Sequence, residues 1–123
     1  MSINNVELTN RHCLACEGDY PSLQGNAIKI YQEQLHTPWQ VIDEKKIKQT
    51  FKFKSFLAAM DFVNQVAKVA EKESHHPDIY IFYNQVAIEL WTHAIAGLSE
   101  NDFIMAAKIE RILNKVKRPS PGA

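Results

Sequence analysis

The segment IYIFYNQVAIELW, residues 79–91, leaves the chain few conformational options. Two runs rich in β-branched and aromatic residues, IYIFY and VAIELW, flank Asn84 and Gln85, the pattern of a β-hairpin with a two-residue loop. Such loops demand positive φ, which asparagine tolerates. In that register Tyr83 faces Val86, Ile81 faces Ile88 and Ile79 faces Leu90, six residues on one apolar face. A slip by one residue would scramble that face. Carried outward, the same register sets His76 opposite His93, with Cβ atoms ~5 Å apart.

The remaining elements follow from periodicity. WQVID and IKQTFKF read as two strands around the polar turn DEKK. In the second, Ile47, Gln49, Phe51 and Phe53 point one way and Lys48, Thr50, Lys52 and Lys54 the other, a solvated lysine face. Pro21 to Leu35 is helical in character, with Leu23, Ala27, Ile30, Tyr31 and Leu35 on one side. Ser55 caps a long helix over residues 56–73, with a core stripe of Phe56, Ala59, Met60, Val63, Val66, Ala67 and Ala70. Ser99 starts the last helix, with Asp102 three residues on as a carboxylate form of the capping box. Phe103, Ala106, Ala107, Glu110 and Leu113 trace one side of that helix. The order α-β-β-α-β-β-α predicts an α+β fold, a four-stranded antiparallel sheet with three helices packed on one face. Residues 1–21 read as an extended or loosely packed arm, 22–117 as the domain and 118–123 as a flexible tail.

Charge narrows the function. Fourteen basic residues balance fourteen acidic ones, so electrostatics favour neither nucleic acid nor an anionic membrane as the main partner. No apolar run is long enough to span a bilayer, and the N-terminus lacks a basic-then-apolar signal pattern, so a cytoplasmic location is expected. Cys13 and Cys16 form a lone C-x-x-C. A closed zinc site needs about four ligands and no second pair completes the set, so both are read as ordinary reduced thiols.

Three of the five histidines, His75, His76 and His93, bracket the hairpin. Pro77 pushes His76 toward an extended backbone, and Glu71 lies four residues before His75 near the end of the long helix. Three readings compete: a metal site, a metal-free acid/base cluster working near neutral pH, or a structural set that fills hydrogen bonds. Adjacent ligands on an extended backbone suit a single metal poorly.

The stretch ESHHPDIYIFYNQVAIELWTHAIAGLSENDF resembles the core of the pterin-4a-carbinolamine dehydratases, also known as dimerisation cofactors of a homeodomain transcription factor. Glu71, His75, His76, Pro77, Tyr83, His93 and Asp102 fit the family pattern without gaps, and the similarity covers roughly residues 22 to 117. Ser74 stands where some members have aspartate, and Ile79 where some have tryptophan. The resemblance implies dimers or tetramers of four-stranded subunits. It implies dehydration of 4a-hydroxytetrahydrobiopterin to quinonoid dihydropterin, in recycling that serves aromatic amino acid hydroxylases. It also implies catalytic roles for His75, His76 and His93, and substrate contacts from Glu71, Pro77, Thr92 and Asp102. Pterin is then the substrate, with no cofactor and no metal. The reaction suits imidazoles on its own terms. An acid must protonate the departing hydroxide, a base must take the N5 proton, and no redox change occurs. The alternative is a non-catalytic pterin-binding or assembly partner of the same fold.

Overall fold

The alternating run in the first half of the chain becomes β2 (Lys46–Lys52), which pairs with β1 (Gln40–Ile42) through a turn at Asp43 and Glu44. Both turn residues have positive φ, 53° and 56°, as a tight hairpin demands. The second hairpin joins β3 (Asp78–Phe82) to β4 (Gln85–Leu90). β2 and β4 pair antiparallel at the centre, giving one sheet in the order β1-β2-β4-β3. The computed structural model describes residues 5–13 and 21–117. Four helices complete it: α1 (Asn5–Asn10), α2 (Asn26–Gln32), α3 (Phe56–Glu73) and α4 (Glu100–Lys117), with a 3₁₀ turn at His93–Ile95. The expected α+β architecture is present. Among the described residues no helix is long and apolar enough to cross a membrane.

Ile47, Phe51, Val86, Ile88 and Leu90 form the buried face of the sheet, in one core with Ala59, Phe62, Val66 and Ala70 of α3 and Phe103, Ala106 and Ala107 of α4. Phe62 meets Phe51 edge-on at 5.3 Å between ring centroids and Phe53 at 5.0 Å. Ser55 caps α3 as expected, its Oγ accepting from the Ala58 amide at 3.1 Å. The buried stripe of α3 is rotated from the expected one. Phe62 is fully buried, while Phe56 and Ala67 are exposed. Apolar residues occupy two neighbouring stripes, and the sheet covers only one.

The hairpin register also differs from expectation. Phe82 pairs with Gln85, Ile81 with Val86 and Ile79 with Ile88, a shift of two residues. A shift of two returns every side chain to its original face, so alternation cannot tell the two registers apart. The loop is therefore Tyr83-Asn84, with Tyr83 at φ 53° and 71% exposed. Asn84 decides the matter: its Nδ2 donates to the Phe53 carbonyl at 3.0 Å, and its own carbonyl accepts from the Phe53 amide at 2.8 Å. β3 begins only at Asp78 and β4 ends at Leu90, so the expected cross-strand pairing of His76 with His93 does not form.

Two further expectations change. The segment expected as a loose arm includes α1, which packs on α4 and buries Leu8 completely. Six residues are too few to display a period, and so short a helix is held by docking rather than propensity. The helix expected over 21–35 begins at Asn26, after Gly25 at φ 53°, and the chain before it hydrogen-bonds Leu23 to Leu98 instead. Ile30, expected inside, is exposed, and Ile28 takes the buried place. The expected tail at 118–123 lies outside the described residues, as does Cys16.

The N-terminal segment is fastened to the end of α3. Buried Glu73 accepts from the Cys13 amide at 2.7 Å and pairs with His12 Nδ1 at 2.9 Å, with Lys108 Nζ 3.8 Å away. Burial works against the carboxylate charge, and these donors outweigh it, so Glu73 titrates below its ordinary value. The same surroundings act on Cys13. Burial, reinforced by the Glu73 charge, pushes the thiol up to about 12. Only about one molecule in 10⁴ would then carry the Cys13 thiolate at pH 8, and thiolate is the reactive form. Peptide-resolved mass spectrometry is expected to show Cys13 alkylated by iodoacetamide far more slowly in the folded protein than in urea; equal rates would remove this account.

Candidate active site

Both ends of the second hairpin open toward the same edge of the sheet, because Asp78 at the start of β3 pairs with Glu89 near the end of β4. His75 and His76 enter that edge from α3, and His93 leaves it toward α4. The turn after α3 sets the first of them. Ser74 adopts the left-handed conformation (φ 53°, ψ 37°), and the amides of Ser74 and His75 return to the carbonyls of Glu71 and Ala70. This is a Schellman ending with serine where glycine is usual.

The turn delivers the His75 ring to α4, where Nε2 meets Asp102 Oδ1 at 2.7 Å. Asp102 is completely buried, and its other oxygen is equally occupied. Oδ2 accepts from Thr92 Oγ1 at 2.9 Å and from the Ser99 amide at 3.0 Å. The helix-cap contact expected of Asp102 is made by Oδ2, which leaves Oδ1 for the His75 ring. Thr92 Oγ1 also meets Ser99 Oγ at 2.7 Å, and Thr92 bridges to Gly97 through the backbone, closing the loop that carries His93. A carboxylate only accepts, so Nε2 of His75 carries the proton in this contact, and in the neutral ring the lone pair lies on Nδ1. Asp102 thus selects the tautomer as well as the orientation.

His76 differs in kind. Its side chain is 62% exposed and pairs through Nε2 with Glu71 Oε2 at 2.6 Å; Glu71 is also exposed. Exposed pairs of this sort add little stability, so this one orients a ring more than it holds the fold. His93 is exposed and stacks on Trp91, with ring centroids 3.8 Å apart and planes inclined at 26°. Trp91 Nε1 in turn donates to Asp78 Oδ2 at 3.3 Å. Contacts therefore run from His75 through Asp102 to Thr92, the residue before His93, and from His93 through Trp91 to Asp78, which follows Pro77. His75 and His76 turn their Nε2 atoms to different carboxylates. Among the described residues no three His, Cys, Asp or Glu side chains gather as metal ligands.

Of the residues singled out in sequence, His75, Thr92 and Asp102 are joined directly, and Glu71 joins His76. Pro77 is half-buried between His76 and β3. Tyr83, part of the family pattern, stands at the tip of the hairpin, at the end of β3 away from the histidines. Asp78 and Ser99 were not anticipated at the site. The only available signal for Asp78 was a carboxylate next to the His-His-Pro turn.

Comparison with known proteins supplies the family. The family model "Pterin 4 alpha carbinolamine dehydratase" matches residues 21–112. The chain belongs to this family. A relative from Nitrosomonas eutropha named "Putative pterin-4-alpha-carbinolamine dehydratase" is 46% identical over 110 residues, spanning 89% of this chain and 96% of its own. A relative of the same name from Rubrobacter xylanophilus is 41% identical, spanning 86% and 98%. A crystal structure described as a transcriptional coactivator/pterin dehydratase from Brucella melitensis superposes with a TM-score of 0.70 at 37% identity, covering 74% of this chain and 97% of that one. A pterin dehydratase-like protein identified as a RuBisCO assembly factor in the alpha-carboxysome shares the fold, with a TM-score of 0.56 at 23% identity.

Proposed function

We propose that this chain dehydrates 4a-hydroxytetrahydropterins by acid/base catalysis between imidazoles. The observation that carries the reading is the buried Asp102 bound to both His75 and Thr92, the chain neighbours of His76 and His93, in a chain of the dehydratase family. In the reaction the C4a–O bond breaks, the oxygen leaves as water after protonation, N5 loses its proton, and a C4a=N5 double bond forms. His75 acts as the base. Its Nδ1 takes the N5 proton, and Asp102 at Nε2 offsets the positive charge that develops on the ring. His93 acts as the acid toward the hydroxyl, backed by the Trp91 ring. His76, held by Glu71, orients the pterin, with Pro77 and Thr92 shaping its surroundings. The reaction requires neither metal nor redox cofactor, so pterin is the substrate.

The exposed edge strand β3 carries Tyr80, Ile81 and Phe82, followed by Tyr83 at the turn. Unpaired apolar strand edges invite a second copy, which supports a homodimer or homotetramer as the working form. The proposal extends to a cytoplasmic role in recycling pterin for an aromatic amino acid hydroxylase, as the family resemblance implies.

The test is the decay of freshly generated 4a-hydroxytetrahydrobiopterin, followed by absorbance. Decay is expected to accelerate in proportion to protein concentration. A rate equal to the spontaneous one would sink the enzymatic reading and leave a binding or assembly role, of the kind the Brucella coactivator description suggests.

A further inference from the structure

A groove of about 650 Å³ lies where α3 and α4 meet α1, and its lining residues include none of those assigned to the candidate active site. Its charge departs from that of the chain. Five cationic side chains and two carboxylates line it, a surplus of three positive charges in a protein whose formal net charge is zero. The carboxylates are already engaged: Glu73 by Cys13, His12 and Lys108, and Asp61 by Gln65 Nε2 at 3.2 Å. Lys108 is committed to Glu73 and to the Thr9 carbonyl, 2.9 Å away.

Four cations remain. Lys68 and Lys72 stand four residues apart on α3, and Arg111 and Lys115 four apart on α4. None forms an ion pair among the described residues. Like charges at this spacing repel each other along a helix. Attraction to the negative end of a helix accounts for Lys72 and Lys115 in last turns, but not for Lys68 or Arg111. Val69 and Ile112 line the same groove between the charged residues, giving it apolar surface.

We infer that this groove is a binding site for an organic polyphosphate of the nucleoside triphosphate class. Such a ligand carries about four negative charges at neutral pH, enough to offset these four cations. Its flat organic part suits the surface at Val69 and Ile112, and the Arg111 guanidinium suits a bidentate grip on phosphate.

Calorimetric titration with ATP, inorganic tripolyphosphate and AMP as probes tests the site. ATP is expected to bind with micromolar affinity, tripolyphosphate more weakly, and AMP at least roughly tenfold more weakly than ATP, all losing affinity as salt rises. In Lys68→Gln/Arg111→Gln, which removes two exposed groups that form no ion pair among the described residues, ATP affinity is expected to fall by roughly tenfold or more with the circular dichroism spectrum unchanged. In the unsubstituted protein the methyl resonances of Val69 and Ile112 should move on ATP addition. No heat from ATP at millimolar concentration would overturn the proposal, as would equal affinity in the double variant. Tripolyphosphate binding as tightly as ATP would overturn the organic part of the assignment, and AMP matching ATP would overturn the polyphosphate part.

Discussion

His75→Ala is expected to lower dehydration turnover by roughly 10²–10⁴-fold while the protein remains folded, because it removes the proposed general base. Its ring contributes one contact to a carboxylate that keeps two other donors, so the fold does not depend on it. Asp102→Asn separates positioning from chemistry. The amide can still accept at one oxygen, but its NH₂ group cannot replace the second acceptor. Turnover is expected to fall with little change in KM, and the pH profile of kcat to move, since the ring loses the group that fixes its tautomer. Steady-state kinetics across pH on both variants check this. Full turnover in His75→Ala would take the residue off the catalytic list.

The second large effect is structural. Glu110 is buried in α4 and gathers the loop before β1: it accepts from the amides of His36 and Thr37 at 3.0 and 2.7 Å and from Trp39 Nε1 at 3.2 Å. Glu110→Ala leaves these donors without their acceptor and is expected to cost about 2–5 kcal/mol. For a domain of this size that lowers Tm by roughly 8–20 °C. Glu110→Gln keeps one acceptor oxygen and is expected to lose less than half as much. Thermal unfolding by calorimetry measures both, and an unchanged Tm in the alanine variant would show that the loop is held by packing alone.

Much of the fold could be read from local pattern. Ser55 announced α3, the alternation at 47–53 announced β2, and the two apolar runs announced the β3–β4 hairpin. The failures share a cause, since each was decided by a partner distant in sequence. Alternation is blind to a two-residue slip, and the loop was fixed by Asn84 reaching Phe53. The buried side of α3 depended on which of two apolar stripes met the sheet. Glu110 was placed by its spacing on the apolar side of the last helix, but nothing local named the donors that the fold brings to it or to Glu73. At the site, the histidines and Asp102 were legible as a family pattern. The route between them was not, because the wrong register paired His76 with His93, whereas the contacts run through Asp102 and Trp91.

Asp102 joins two tasks in one side chain. One lone pair finishes the first turn of α4, and another steers an imidazole. Under the proposed mechanism, heat tolerance and catalytic speed are tethered at a single atom group: a replacement that dislodges the ring also unsettles the helix start. Laboratory selection for either property alone should leave this position untouched and find its gains elsewhere, on the outward sides of α3 and the lysine-bearing face of β2.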